Sequence, residues 1–281
     1  MQFASFVRDG EESYGAVLDS GILDLGRRFA ARFKTLRDVL DADALGDLVL
    51  ESNAPDAALD DVAFLPTIPN PRRIIGIGVN YSDDVIKART EIAYPSVFLK
   101  LPSSMVGHRQ PIIRPLVSEM LDYEGELAVV IGRPGRRIAK SDALSHVAGY
   151  TCFNDTTVRD WQRHGTIPLP GKNFFHCGSC GPWLVTSDEI RDPSKLALTT
   201  RVNGKELQNA VTDLIFDIPT LIEYVSGFTP LEPGDIIATG TPNGVGMHFN
   251  PPIWLKAGDV VEVTISGIGT LVNPVEDEPA S

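Results

Sequence analysis

Two glutamates separated by one glycine, Glu124 and Glu126, stand in the stretch LDYEGELAVVIG, which has the composition of a buried β-strand. Successive strand side chains point to opposite faces, so both carboxylates project from the same face. Residues 127–131 are apolar throughout, a pattern typical of a strand covered on both sides. Two adjacent anions beside a core are costly unless a positive group meets them, so we expect a cation nearby.

A third acid, Asp155, follows another short apolar run, GYTCF. Mg²⁺ and Mn²⁺ prefer oxygen ligands, and three carboxylates that leave coordination positions open suit either ion. The spacing alone also allows a simpler interpretation, in which an acid-x-acid pair forms the exposed polar face of a strand. Arg159 and Gln162 follow Asp155 by four and seven residues, so on a helical turn they face the same side.

Two other patterns carry less chemistry. The glycine-rich stretch GTPNGVG, residues 240–246, follows a short strand but lacks the GxxxxGK(S/T) order of a phosphate loop. Cys177 and Cys180 have C-x-x-C spacing, but one pair without further ligands is weak evidence for zinc, and we interpret them as buried thiols. With Cys152 they make three cysteines, an odd number that favours a reducing cytoplasm over a disulfide framework.

The composition describes a globular protein and excludes several classes of partner. The chain has 281 residues and a formal net charge of -12, which argues against a nucleic acid or an anionic membrane as partner. An acidic ligand would therefore need local positive charge. No signal peptide is evident, and no apolar run approaches the roughly 18 to 20 residues of a membrane span. We expect a cytoplasmic protein.

The hydrophobic periodicity divides the chain near residue 70. Residues 3–25 alternate short apolar runs with turns, which predicts two or three strands, and residues 26–50 show helical spacing. A Pro-rich stretch, residues 64–73, then reads as a linker. Beyond it short β-type runs dominate, with helices expected at Asp142–Val147 and Asp217–Ser226. We predict a mainly β, α+β fold with a small N-terminal α/β domain, 1–70, and a larger domain, 71–281.

The larger segment resembles the fumarylacetoacetate hydrolase family. The resemblance covers about residues 72–272 and rests on several motifs in the order in which that family has them: RIIGIGVNY, FLKLPSS, DYEGELAVVIG, GYTCFNDTTVRDWQ, GPWLVT, VNGKELQ, LEPGDIIATGTPNGVG and LKAGDVVEVTISGIGTL. It implies a C-terminal domain of the mixed β-roll or sandwich type, an E-x-E pair and a later Asp that bind Mg²⁺ or Mn²⁺, and a homodimer.

Carried over residue by residue, the resemblance assigns a site. It implies that the metal ligands are Glu124, Glu126 and Asp155. It also implies roles at the substrate for the residues Arg159, Gln162, Thr241 and Tyr81, and places Lys172 near the metal or the substrate. Lys100 falls in a matching segment, and its role as a packing or a ligand-contacting residue stays open.

The sequence departs from the family at the water-activating pair. Many relatives carry a histidine and, three residues later, a glutamate after the NY motif, where this chain has Asp84 and Lys87. A carboxylate with an ordinary pKa near ~3.9 is a poorer base than an imidazole near ~6.5. Three explanations remain: the base is Glu91 or His176, Asp84 itself acts with Lys87 adjusting its ionisation, or the reaction needs no such base.

These features predict a metal-dependent enzyme acting on a small acidic β-dicarbonyl or 2-oxo acid. We expect first the hydrolytic cleavage of a carbon–carbon bond in an acylpyruvate or diketo acid. Decarboxylation of a 2-oxo acid such as oxaloacetate, or isomerisation or hydration of a related acid, is the alternative, because it uses the same metal-bound oxygens. A catalytically inactive member with a structural metal, or a small-acid binding protein, is a further alternative.

Overall fold

A computed structural model describes residues 1–48, 54–82 and 92–280 of the chain. Strands dominate these residues, and they are Gln2–Arg8 (β1), Glu11–Leu18 (β2), Gly21–Asp24 (β3), Ala63–Phe64 (β4), Ile74–Gly78 (β5), Ser96–Lys100 (β6), Met105–Val106 (β7), Ile112–Arg114 (β8), Leu121–Asp122 (β9), Gly125–Ile131 (β10), Val147–Asn154 (β11), Thr157–Val158 (β12), Gly178–Thr186 (β13), Ala197–Val202 (β14), Lys205–Val211 (β15), Ile236–Ala238 (β16), Val260–Ile265 (β17) and Gly269–Asp277 (β18). The predicted mainly β fold is confirmed.

The helices of the described residues are few and short. The α-helices are Leu25–Arg28 (α1), Leu36–Asp41 (α2), Leu169–Lys172 (α3) and Ile218–Phe228 (α4). The helix predicted from Asp217 is confirmed as α4, whereas the one predicted from Asp142 is a single 3-10 turn, Ala143–His146. Further 3-10 turns are Leu45–Asp47, Pro102–Ser104, Trp161–Arg163, Pro193–Lys195 and Gly246–His248. None of the helices described is long and apolar enough to span a membrane.

The strand that carries the E-x-E pair lies inside the largest sheet. That sheet has the order β3-β2-β1-β13-β11-β10-β16-β5-β6, so β10 has neighbours on both sides. Its alternating residues enter two different cores. Leu127 and Val129 pack with residues of β17 and α4, while Ala128 and Val130 pack with residues of the N-terminal segment. The strand after Glu126 is therefore buried on both faces, as its continuous apolar run predicted.

A second sheet covers one face of β10. Its order is β15-β14-β17-β18-β8, and its residues Leu198, Val263 and Leu271 belong to the same core cluster as Val129. Gly125 is needed at this contact, because a Cβ there would overlap the hydroxyl of Thr200 on β14. The close approach of the two sheets thus explains why a glycine separates the two glutamates.

The N-terminal strands form the predicted hairpins and continue the large sheet. β1 pairs with β2 and β4, and it also pairs with β13, where Phe3 lies opposite Leu184. Helix α2 begins with a capping box, in which Thr35 and Asp38 bond reciprocally to each other's backbone amides. The division of the chain near residue 70 stays a prediction.

Candidate metal centre

Three buried carboxylates meet where two neighbouring strands of the large sheet begin and end. Glu124 and Glu126 flank the first residue of β10, and Asp155 directly follows β11, whose Asn154 lies opposite Gly125. The antiparallel register therefore brings the three acids together. One carboxylate oxygen from each lies within 4.8 Å of those of the others, and Glu124, Glu126 and Asp155 are exposed by only 6%, 1% and 0%. The alternative of an exposed polar face does not hold.

The donor set fits a hard divalent cation. Carboxylate oxygens are the ligands that Mg²⁺ and Mn²⁺ prefer, and three of them leave coordination positions for substrate oxygens. Among the described residues this is the one group of three or more acids, histidines or cysteines whose ligand atoms converge in this way. Cys177 and Cys180 are buried free thiols and belong to no such group. The three acids are therefore the residues that would hold the ion.

Buried cations surround the carboxylates. The ammonium of Lys172 lies 2.6 Å from both Glu124 Oε2 and Asp155 Oδ2. Arg159 Nη2 lies 2.7 Å from Glu124 Oε1, and Lys100 Nζ lies 2.8 Å from Asp155 Oδ1. The sequence left the role of Lys100 open. In the structure Lys100 pairs with Asp155 and also donates to the Lys172 carbonyl. These contacts neutralise Glu124 and Asp155, but Glu126 has no ion pair among the described residues.

Glu124 and Glu126 differ in pKa, because only Glu124 has cationic partners among the described residues. Burial alone raises a carboxyl pKa, but the Lys172 and Arg159 cations outweigh it at Glu124 and hold the pKa of Glu124 at about 2. At Glu126 burial is reinforced by the charges of Asp155 and Glu124, and the pKa of Glu126 is raised well above its usual value. Burial lowers the pKa of Lys172, yet Asp155 and Glu124 more than compensate and raise it. Lys172 is therefore a cation at neutral pH.

Side chains from β15 and from the 240–248 loop bond the backbone amide and carbonyl of Gly125, the residue between the two glutamates. The Gly125 amide donates to Gln208 Oε1 at 3.0 Å, and the Gly125 carbonyl accepts from the Thr241 hydroxyl at 2.9 Å. Gln208 Nε2 in turn donates to Thr241 Oγ1 at 2.8 Å. This closed set of bonds satisfies both backbone groups between the two glutamates and holds the ligand strand in place.

A cavity of about 400 Å³ opens beside Glu124 and Glu126. Its lining includes six of the residues predicted for the site: Glu124, Glu126, Arg159, Gln162, Lys172 and Thr241. Phe98 of β6 and Met247 are among the hydrophobic residues of its lining. A small acidic molecule of several carbon atoms is the kind of ligand that such a mixed, concave site accommodates.

Two further predicted residues, Tyr81 and His176, do not line the cavity. Tyr81 is buried behind the cavity, where burial and the nearby Glu126 raise the pKa of its phenol. His176 lies in a turn with a positive φ of 51°, stacks on Phe175 and does not line the cavity. Asp84 and Glu91 fall outside the described residues, so their proposed role as base stays a prediction.

The structure also adds residues that the sequence reasoning missed. Asp122 is fully buried and pairs with Arg159, and Gln208 holds the E-x-E backbone as described above. Asp122 had a signal, because it continues the alternation of acids at every second residue, Asp122, Glu124 and Glu126. Gln208 had none, because its partners are distant in sequence.

Comparison with known proteins agrees with this geometry. The family profile Fumarylacetoacetate (FAA) hydrolase C-terminal matches residues 73–276. Oxaloacetate tautomerase YisK of Bacillus subtilis (strain 168) is 46% identical over 224 residues, which are 78% of this chain and 74% of that protein.

Two solved structures share the fold over nearly the whole chain. Fumarylacetoacetate hydrolase from Exiguobacterium antarcticum has a TM-score of 0.86 and 35% identity, with 99% of this chain and 100% of that chain covered. Maleylpyruvate hydrolase from Sphingobium sp. SYK-6, in complex with manganese (II) ion and pyruvate, has a TM-score of 0.79 and 29% identity at the same coverage. The chain therefore belongs to the fumarylacetoacetate hydrolase family.

Proposed function

We propose that this protein is a divalent-metal-dependent enzyme that interconverts the keto and enol forms of oxaloacetate or a closely similar 2-oxo dicarboxylic acid. The observation that carries the proposal is the buried convergence of Glu124, Glu126 and Asp155 beside a cavity that Glu124, Glu126 and Lys172 line. The 46% identical relative is an oxaloacetate tautomerase, which supports this reaction ahead of the hydrolysis expected first from the sequence.

The charge of the site supports an acidic substrate. Four buried carboxylates face three buried cations, and they are Asp122, Glu124, Glu126 and Asp155 against Lys100, Arg159 and Lys172. With all groups ionised the cluster carries one negative charge, and a divalent cation changes this to one positive charge. A protein of net charge -12 thus acquires a locally positive site that attracts a dicarboxylate.

The residues of the cavity suit a proton transfer through an enolate. When bound, Mg²⁺ or Mn²⁺ supplies a Lewis acid that polarises the 2-oxo group of the substrate. Lys172, held as a cation beside two ligand carboxylates, donates a hydrogen bond to the oxygen that gains negative charge. Gln162 lines the same cavity and accepts from Arg159 Nη1 at 3.2 Å, so its amide NH₂ remains to orient the substrate.

Tautomerisation makes fewer demands on a base than hydrolysis does. Hydrolysis of a carbon–carbon bond requires an activated water, and the histidine that serves this purpose in many relatives is replaced by Asp84. Tautomerisation moves one acidic proton between carbon 3 and the enol oxygen, and no water is consumed. The described cavity contains one imidazole, His248 at its mouth, and its arginine and lysine are ion-paired. We propose that Asp84 or Glu91 receives the carbon-bound proton.

Hydrolysis of an acylpyruvate is the second candidate. It is favoured by the fold of the maleylpyruvate hydrolase, whose complex contains manganese and pyruvate. The candidate reactions leave different products. Hydrolysis of an acylpyruvate and decarboxylation of oxaloacetate release pyruvate, whereas tautomerisation conserves every atom of the substrate. Pyruvate formation therefore distinguishes the candidates.

The test uses the purified chain stripped of metal and then supplied with Mg²⁺ or Mn²⁺. We expect the metal-loaded protein to speed the decay of the ultraviolet absorbance of enol-oxaloacetate, with no matching release of pyruvate. Asp155→Asn should abolish this activity, and Asp160→Asn, which removes a neighbouring carboxylate outside the cavity, should retain it. Undiminished turnover in the presence of chelator would contradict the proposal. A rise in Tm with metal but no turnover of any 2-oxo acid would favour an inactive family member.

We also propose a homodimer, formed through an apolar surface beside the cavity. Leu99 and Leu101 are each 52% exposed, and Ile167 and Phe175 are each 65% exposed. Asn173 ties parts of this surface together, because it bonds to the backbone of both Leu99 and Leu101. Exposed apolar side chains of this kind support an interaction site. Phe175→Asp should convert a dimer to a monomer in light scattering. The cytoplasmic location expected from the cysteines stays a prediction.

A further inference from the structure

Asp122 uses both of its carboxylate oxygens inside the protein. It is 0% exposed. Its Oδ2 accepts from Arg159 Nε at 2.8 Å and from the Met247 amide at 3.1 Å, and its Oδ1 accepts from the Gly246 amide at 2.7 Å. Asp122 does not line the cavity, so it reaches a ligand only through the groups that it holds.

The groups that Asp122 holds belong to two different walls of the cavity. Arg159 is one wall, and its remaining nitrogens contact Glu124 at 2.7 Å and Gln162 at 3.2 Å. The other wall is the loop that contains Gly246, in which Val245, Met247 and His248 line the cavity. The resemblance implied a role at the substrate for Arg159, but Asp122 and Glu124 already pair with the Nε and Nη2 of its guanidinium.

Only a carboxylate fits this position. An asparagine has one oxygen and one NH₂ group, so its NH₂ would point either at Arg159 Nε or at the Gly246 amide, and both of these are donors. One of the two walls would then lose its acceptor, and a donor would face a donor in a buried place. Glutamate is one methylene longer in a fully packed site.

We propose that Asp122 is a positioning residue that sets the distance between the Arg159 wall and the 245–248 wall, and so determines how tightly the site holds a small dianion. Asp122 is not one of the three carboxylates that would hold the metal ion. Replacing Asp122 therefore leaves all three of those carboxylates in the protein. The inference rests on the proposed function only for the choice of ligand.

The experiment measures binding of oxalate to the Mn²⁺-loaded protein by titration calorimetry. We expect Asp122→Asn to weaken oxalate binding about ten- to a hundredfold, the range for a lost hydrogen bond to a charged group. The affinity for Mn²⁺ alone should be unchanged. In turnover the same variant should raise KM with little change in kcat, because the loss affects the bound substrate and the transition state alike.

A double-mutant cycle separates positioning from general damage. If Asp122 acts through Arg159, Asp122→Asn should cost much less in an Arg159→Met background than in the wild-type protein. Asp160→Asn is the matched control, because Asp160 is the neighbour of Arg159 and its side chain bonds only to Ser118 among the described residues. It should bind oxalate as the wild type does.

Two results would overturn the inference. One is a folded Asp122→Asn protein that binds oxalate as tightly as the wild type, and the other is full additivity with Arg159→Met. If Asp122→Asn fails to fold, Asp122→Ser removes the carboxylate without placing an amide donor against Arg159, and it is tested in the same way. The measurement needs no turnover, so a wild-type protein that binds oxalate but leaves oxaloacetate unchanged would contradict the proposed function alone.

Discussion

Replacing Glu126 by glutamine should stabilise the metal-free protein and abolish its response to metal. Glu126 is 1% exposed, and its one hydrogen bond among the described residues comes from the Gly240 amide, 2.9 Å from Oε2. Glutamine retains an oxygen for that bond. It removes a charge that lies beside Glu124 and Asp155 and that no cation of the described residues contacts.

The matched variant is Glu124→Gln. Glu124 contacts Lys172 at 2.6 Å and Arg159 at 2.7 Å, so its neutralisation leaves two buried cations short of a partner. Losing charged hydrogen bonds of this kind costs about 1.5–3 kcal/mol each. A change of 1 kcal/mol moves the Tm of a large domain by roughly 2–4 °C. The two isosteric changes should therefore move the Tm of the metal-free protein in opposite directions.

The pH dependence of folding stability tests the same opposite effects of the two glutamates. Because the pKa of Glu126 is raised in the folded protein, the folded state binds the proton more tightly than the unfolded chain does, and stability falls as the pH rises above about 4.5. The advantage of Glu126→Gln should thus grow as the pH rises above about 4.5. Glu124 acts oppositely: its lowered pKa gives stability that is lost only as the pH falls from about 4.5 toward about 2.

The assay is thermal unfolding with and without Mn²⁺. At a free concentration of a hundred times Kd, Mn²⁺ should stabilise the wild type by about 2.7 kcal/mol. It should stabilise neither glutamine variant to this extent. The reasoning would be refuted if metal-free Glu126→Gln were destabilised as much as Glu124→Gln, or if it kept the full Mn²⁺ response.

Three further predictions concern the same centre. Lys172→Met should bind Mn²⁺ more tightly, since the ammonium competes for two ligand oxygens, yet lose turnover; calorimetry showing weaker binding would contradict this. Mn²⁺ affinity of the wild type should rise with pH by up to about tenfold per unit below the pKa of Glu126, because binding expels its proton; a flat profile in the same titration would argue against it. Gln208→Leu should lower the free energy of unfolding by about 1–3 kcal/mol, because the Gly125 amide loses its acceptor, and should weaken Mn²⁺ binding. Asn209→Leu, on the exposed face of the same strand, should do neither.

The sequence by itself determined which acids form the candidate metal centre. The period of two along LDYEGELAVVIG places both glutamates on one face, and the unbroken apolar run after them requires a strand buried on both sides. The order of motifs identified the family. These inferences succeeded because each depends on neighbours along the chain.

Only the tertiary structure decided what surrounds those ligands. Lys100, Arg159 and Lys172 approach the carboxylates from separate segments, and Gln208 reaches Gly125 from another sheet, so no local pattern encodes their distances. The same is true of the raised pKa of Glu126, which follows from its burial and from the charges of Asp155 and Glu124 that the fold brings beside it. Burial strengthens each of these charge interactions, and burial is a property of the assembled fold.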